Sequence, residues 1–137
     1  MQKEIYILDS NIWISYVITK RLSDLVALVQ DHQLAVITCH TLVAEIQDVL
    51  SRPKFKKYIR ISDIKEVIAI HLKLCLLVGT EEAVTLLSDP KDNFLLDLYN
   101  NGKATVLVTG DKELLREASE LNFRVMTLSE FELSFSH

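Results

Sequence analysis

The stretch Glu4-Ile-Tyr-Ile-Leu-Asp-Ser-Asn11 decides how this chain is read. Its unbroken run of β-branched, aromatic and aliphatic residues, without polar alternation, predicts a strand buried on both faces, the habit of a parallel sheet. Asp9 then stands at the carboxyl end of that strand, followed by Ser10 and Asn11. In open α/β sheets ligands bind in the crevice outside those strand ends, so a carboxylate there stands where chemistry usually occurs.

Further strand signals follow at residues 34–38, 105–109 and 124–127. Leu76-Leu-Val-Gly79 reads either as a short strand or as the end of a helix. Helices are expected over 12–18, from a Ser23-Asp24 cap to about residue 31, over 40–50, from a Ser62-Asp63 start, and over 112–121. Asp89-Pro-Lys-Asp92 is a helix start, with Asp89 as cap and Pro90 at the first helical position, and Asn100-Asn-Gly102 closes that helix. Residues 81–87 are undecided, and Ser129-Glu130-Phe131 begins a terminal turn. Strands alternating with helices predict an α/β fold, a three-layer α/β/α sandwich on a mostly parallel central sheet, with residues 1–137 as a single domain.

Composition sets outer bounds on function. Of 137 residues, 49% are hydrophobic and 25% charged, an ordinary globular balance that excludes a disordered chain. Apolar runs are short and broken by charges, and Met1-Gln-Lys-Glu has no signal-peptide core, so neither a membrane span nor export is expected. Cys39 and Cys75 have no metal or redox spacing, which makes a reducing cytoplasm the expected compartment. The net charge of −4 argues against a broad phosphate-tracking surface. Lys54-Phe-Lys-Lys-Tyr-Ile-Arg60 nevertheless sets Lys54, Lys56, Lys57 and Arg60 among two aromatics. That segment suits either a nucleic-acid strand, held by phosphate contacts and stacking, or a solvated connection between two helices.

Four carboxylates stand out. Asp9 and Asp111 end strands, Asp92 opens a helix, and Glu45 falls roughly 40° outside the apolar stripe of residues 42, 43, 46, 49 and 50 on its helix, leaning inward. Each aspartate has a structural role available as a helix cap. Collected at one edge, however, the four would raise one another's pKa unless a cation neutralised them. Oxygen ligands without Cys or His suit Mg²⁺ or Mn²⁺, ions that support in-line attack on a phosphodiester. Ser10 and Cys39 lack a positioned base and read as structural. His71 reads as a core-edge histidine, and Asp97, about 140° around the helix from Asp92, as peripheral.

Leu8-Asp-Ser-Asn11, Glu45 with Val49-Leu-Ser-Arg-Pro-Lys54, Asp89-Pro-Lys-Asp92 with Leu95, and Val108-Thr-Gly-Asp-Lys112 together resemble a PIN-domain ribonuclease. The resemblance is to the branch described as toxins of toxin–antitoxin systems. It implies that Asp9, Glu45, Asp92 and Asp111 form the acidic metal-binding and catalytic set for Mg²⁺ or Mn²⁺. Asn11 and Thr109 would shape that set by hydrogen bonds, with Ser10 and Asp89 beside it. The implied activity is metal-dependent hydrolysis of single-stranded RNA in the cytoplasm, with water as nucleophile. The implied partner is a cognate antitoxin; a homodimer is left open, as is one metal ion or two. Two other classes compete. A haloacid-dehalogenase-like phosphatase needs an Asp where Asn11 stands and tends to want another at Leu115. A PIN-like RNA- or protein-binding module with little catalysis has no reason to keep the full acidic set.

Overall fold

Ile5–Leu8 (β1) is the middle strand of a five-stranded sheet in the computed structural model of the protein, which describes residues 3–136. Ala35–Thr38 (β2) and Leu76–Leu77 (β3) extend the sheet on one side, Val106–Val108 (β4) and Val125–Met126 (β5) on the other. The order is β3-β2-β1-β4-β5 and every pairing is parallel. Ile7, Leu8, Val106, Leu107 and Val108 have no exposed surface, as a sheet covered on both faces requires.

Seven α-helices among the described residues cover the sheet: Ser10–Ile18 (α1), Leu22–Asp31 (α2), His40–Leu50 (α3), Ile61–Leu74 (α4), Asn93–Asn101 (α5), Lys112–Glu120 (α6) and Leu128–Leu133 (α7). Right-handed crossovers that step one way from β1 to β3 and the other way from β4 to β5 place their helices on opposite faces. The result is the three-layer α/β/α sandwich expected. α7 closes over the α1 side, where Phe131 packs edge-on against Tyr6 with centroids 5.3 Å apart and Tyr16 donates its hydroxyl to Glu132 at 2.6 Å. No helix among the described residues is long and apolar enough to cross a membrane.

Local chemistry moves several boundaries. α2 begins at Leu22 behind Arg21, not at a Ser23-Asp24 cap, because Arg21 and Asp24 pair across the first turn at 3.4 Å. α4 likewise begins at Ile61, with Arg60 and Asp63 paired at 3.2 Å. Residues 76–77 are a strand, since the edge of β2 accepts them in parallel register. The terminal turn is a full helix, α7, nucleated by a capping box in which Thr127 and Glu130 satisfy each other's backbone N–H groups. Gly102, closing α5, packs where a Cβ would run into the Ile37 side chain.

Residues 79–89 form no regular element, yet they are fastened. Asp97, 3% exposed, accepts from Ala83 N at 3.1 Å and Val84 N at 2.9 Å, while Asn93 Oδ1 accepts from Leu87 N at 3.1 Å. Asp97, peripheral to the acidic set in the sequence reading, is an interior residue of the fold whose role is to anchor this loop. His71 is a core histidine outright, fully buried, with Nε2 2.8 Å from Thr38 Oγ1 and its ring 4.3 Å from that of Trp13.

Candidate active site

The strand order reverses between β1 and β4, the switch point at which open α/β sheets place their ligands. Asp9 leaves β1 and Thr109 leaves β4 at that crevice, tied by Asp9 N donating to the Val108 carbonyl at 2.9 Å. Asp9 is 5% exposed. Its Oδ2 accepts from Thr109 Oγ1 at 2.8 Å and from Asn11 Nδ2 at 3.1 Å, and its Oδ1 caps α1 by accepting from Ser10 N at 2.7 Å. Asn11 Oδ1 in turn accepts from Gly110 N at 2.9 Å, and Thr109 Oγ1 from Asp111 N at 3.1 Å. Asn11 and Thr109 therefore lock β1 to the turn after β4 and aim the Asp9 carboxylate.

Glu45 reaches the same edge from the second turn of α3, half-buried, with Oε2 fully enclosed and without a hydrogen-bond partner. Burial first, and then the charges of Asp9 and Asp92, push its carboxyl up to about 7; Lys91 and the Ser10 hydroxyl oppose that shift only in part. Asp92 lies in a 3-10 turn, Pro90–Asp92, ahead of α5. Burial, then Asp9, Asp89 and Asp111, raise its carboxyl to about 6. Asp9 is raised as well, chiefly by burial, with Thr109 and Ser10 N pulling the other way. Asp111 is exposed and caps α6 through Glu113 N at 3.0 Å and Leu114 N at 3.2 Å. Asp89 caps the 3-10 turn through Lys91 N at 3.3 Å and pairs with Lys91 Nζ at 3.7 Å. Asp9 and Asp92 thus each act on Glu45, Asp9 on Asp92, and Asp111 on both Asp9 and Asp92 across the crevice.

As they stand, no three Asp, Glu, His or Cys side chains among the described residues are close enough to grip one ion. Asp9 and Asp111 each have an oxygen engaged by backbone N–H groups. The donor chemistry nevertheless fits a hard divalent cation, being all oxygen, and an enclosed, unpartnered Glu45 Oε2 is the acceptor such an ion would satisfy.

The PIN-domain sequence profile matches residues 6–113. The chain belongs to the PIN-domain family. That match contains all four carboxylates, Asn11 and Thr109, and it makes the fold one of nuclease type. PIN domains are generally nucleases and typically use divalent metals. No curated protein matches the chain.

In this PIN domain none of the cations of the basic segment is among the charges that act on Glu45 and Asp92. α3 starts beside the carboxyl edge and advances about 15 Å from His40 to Leu50 at ~1.5 Å per residue, so Lys54, Lys56, Lys57 and Arg60 stand beyond its far end. There they connect α3 to α4, with Lys54 Nζ 5.1 Å from the Phe55 centroid and Lys57 Nζ 5.2 Å from that of Tyr58. A nearer cation is Lys91, which stands in the sequence where the PIN resemblance leads one to expect an acidic residue and which offsets Glu45 and Asp92.

Proposed function

We propose that the protein is a metal-dependent endoribonuclease that hydrolyses phosphodiester bonds of single-stranded RNA in the cytoplasm. The observation that carries this reading is the convergence of Asp9, Glu45 and Asp92 from three separate elements, with raised proton affinities, at the switch point of a PIN fold. These three and Asp111 would hold Mg²⁺ or Mn²⁺. Bound there, a divalent ion supplies Lewis acidity, activating water and offsetting charge on the phosphoryl oxygens during in-line displacement.

The chain's own residues then have distinct tasks. Asn11 and Thr109 keep Asp9 in one orientation, so no reorganisation is needed when RNA binds. Ser10 donates its hydroxyl to Asp9 Oδ1 at 3.5 Å, and Asp89 caps the 3-10 turn that carries Asp92. In the reaction a water oxygen bonds to phosphorus, one ester P–O bond breaks, and the leaving oxygen takes a proton. Lys54, Lys56, Lys57 and Arg60 would hold the strand by its phosphates, away from the cut.

Cleavage of single-stranded RNA should require Mg²⁺ or Mn²⁺, stop in EDTA, and collapse in Asp9→Asn and Asp111→Asn, which keep the caps but lose charge. Undiminished cleavage by Asp9→Asn, with folding intact by circular dichroism, would falsify the reading. The toxin role, with an antitoxin as partner, rests on the family. Induced expression alone should arrest growth in wild type and not in Asp9→Asn, and normal growth at high soluble expression would remove the toxin role while leaving the nuclease.

A further inference from the structure

Beside the carboxylates lies a groove of about 570 Å³. Thr41 of α3 forms one wall, Val84 and Thr85 of the irregular loop another, and Lys91, Asn93 and Phe94 the floor and rim at the start of α5. The groove adjoins the acidic edge through the elements the two share. Thr41 sits one helical turn before Glu45 on the same face, and Lys91 and Asn93 flank Asp92 in the chain. Lys91 also acts electrostatically on both Glu45 and Asp92.

We propose that this groove is a nucleotide subsite that takes the nucleoside joined to the phosphodiester at the carboxylates, its base against Phe94 and its sugar–phosphate within reach of Lys91. The inference rests on the nuclease reading of the same site. The volume falls within the range of about 300–1,000 Å³ typical of small-ligand clefts. The lining matches a nucleoside: one aromatic surface for a base, one cation for a phosphate, the Thr41 and Thr85 hydroxyls and the Asn93 amide for base edges or ribose, and the Glu82 carboxylate as an acceptor for ribose hydroxyls or base amino groups on the side away from the phosphate's cation. The loop wall is preformed, because Asp97 holds Ala83 N and Val84 N and Asn93 holds Leu87 N. A nucleotide entering it therefore orders little of the protein, which favours binding. Fixed polar groups beside the cut also give the enzyme a place to select the flanking base.

The test uses the ¹⁵N-labelled full chain in EDTA, titrated with the four nucleoside 5′-monophosphates and with ribose 5-phosphate, which lacks a base. The monophosphates should shift the Thr41, Val84, Thr85 and Phe94 amides, with ribose 5-phosphate binding more weakly. Phe94→Leu, which keeps apolar volume without a ring, should weaken monophosphate binding about tenfold, the scale of one base–aromatic stack; Phe94→Tyr should restore it. Lys91→Gln should weaken all five ligands. Monophosphates that leave those amides unmoved, or that bind Phe94→Leu as tightly as wild type, overturn the subsite. RNA cleavage assayed in Mg²⁺ on the same samples separates the two claims. Cleavage with an unmoved groove overturns the subsite alone, and a filled groove without cleavage overturns the nuclease reading while supporting the nucleotide site.

Discussion

Thr109 donates its hydroxyl to Asp9 Oδ2 at 2.8 Å across 100 residues of chain, and Thr109 Oγ1 itself accepts from Asn11 Nδ2 at 3.3 Å and from Asp111 N at 3.1 Å. One small side chain thus joins the ends of β1 and β4 at the switch point. Thr109→Val keeps the shape and leaves a buried carboxylate short of a donor, at a cost of about 1.5–3 kcal/mol for a hydrogen bond to a charged group. Urea unfolding should show that loss, and RNA cleavage should fall with it; Thr109→Ser should recover most of both. A Val variant as stable as wild type would mean the bond does not hold the edge together.

Buried His71 and half-buried Glu45 pull stability in opposite directions with pH. Burial lowers the His71 imidazole to about 4, so its contribution is complete above the ordinary value of 6.5 and is lost as pH falls toward 4. That separation corresponds to about 3 kcal/mol at the acid end. Glu45 is raised from 4.5 to about 7, so its contribution is complete below 4.5 and is lost as pH rises through 7. In EDTA, acidification from about pH 7 to about pH 5 should favour His71→Gln relative to wild type and disfavour Glu45→Gln relative to wild type, since Asp92, raised to about 6, acts in the same direction as Glu45 in every variant. Parallel curves for the two variants would show that neither group is held as described.

At about pH 7.5, Glu45→Gln should also raise the metal-free melting temperature by a few degrees, on the order of 1 kcal/mol, by removing one repelling charge. Millimolar Mg²⁺ should then stabilise wild type more than the variant, because a ligand of the folded state stabilises in proportion to its binding. Equal gains would take Glu45 out of the metal set.

Asp97→Ala removes the acceptor for Ala83 N and Val84 N. Hydrogen exchange at those two amides should rise about tenfold or more while the β1 and β4 amides stay protected, since a loop can open without the sheet. Unchanged exchange would mean the loop is held by other contacts.

Replacing Lys54, Lys56 and Lys57 together by Ala should flatten the salt dependence of RNA affinity by about 0.7 in log–log slope for each phosphate that is no longer neutralised. An unchanged slope would make the segment a connector between α3 and α4 and nothing more.

The sheet was legible in the sequence because strands buried on both faces must be apolar throughout, and β1, β2 and β4 leave no other reading. The aspartates were legible for a related reason, since Asp9 and Asp111 each follow a strand and cap the helix after it. Helix periodicity alone turned Glu45 inward. Boundaries at Arg21, Arg60 and Thr127 depended on side-chain pairs across a first turn, which periodicity does not register. Only the tertiary structure decided that Asp97 is an interior anchor, that His71 is sealed under Trp13, and that Lys91, not the Lys54–Arg60 run, is the cation at the carboxylates. Those facts depend on which loop folds onto which helix and on how far α3 carries the chain from the sheet edge. Such distances are set by packing between residues remote in the chain, and no local pattern encodes them.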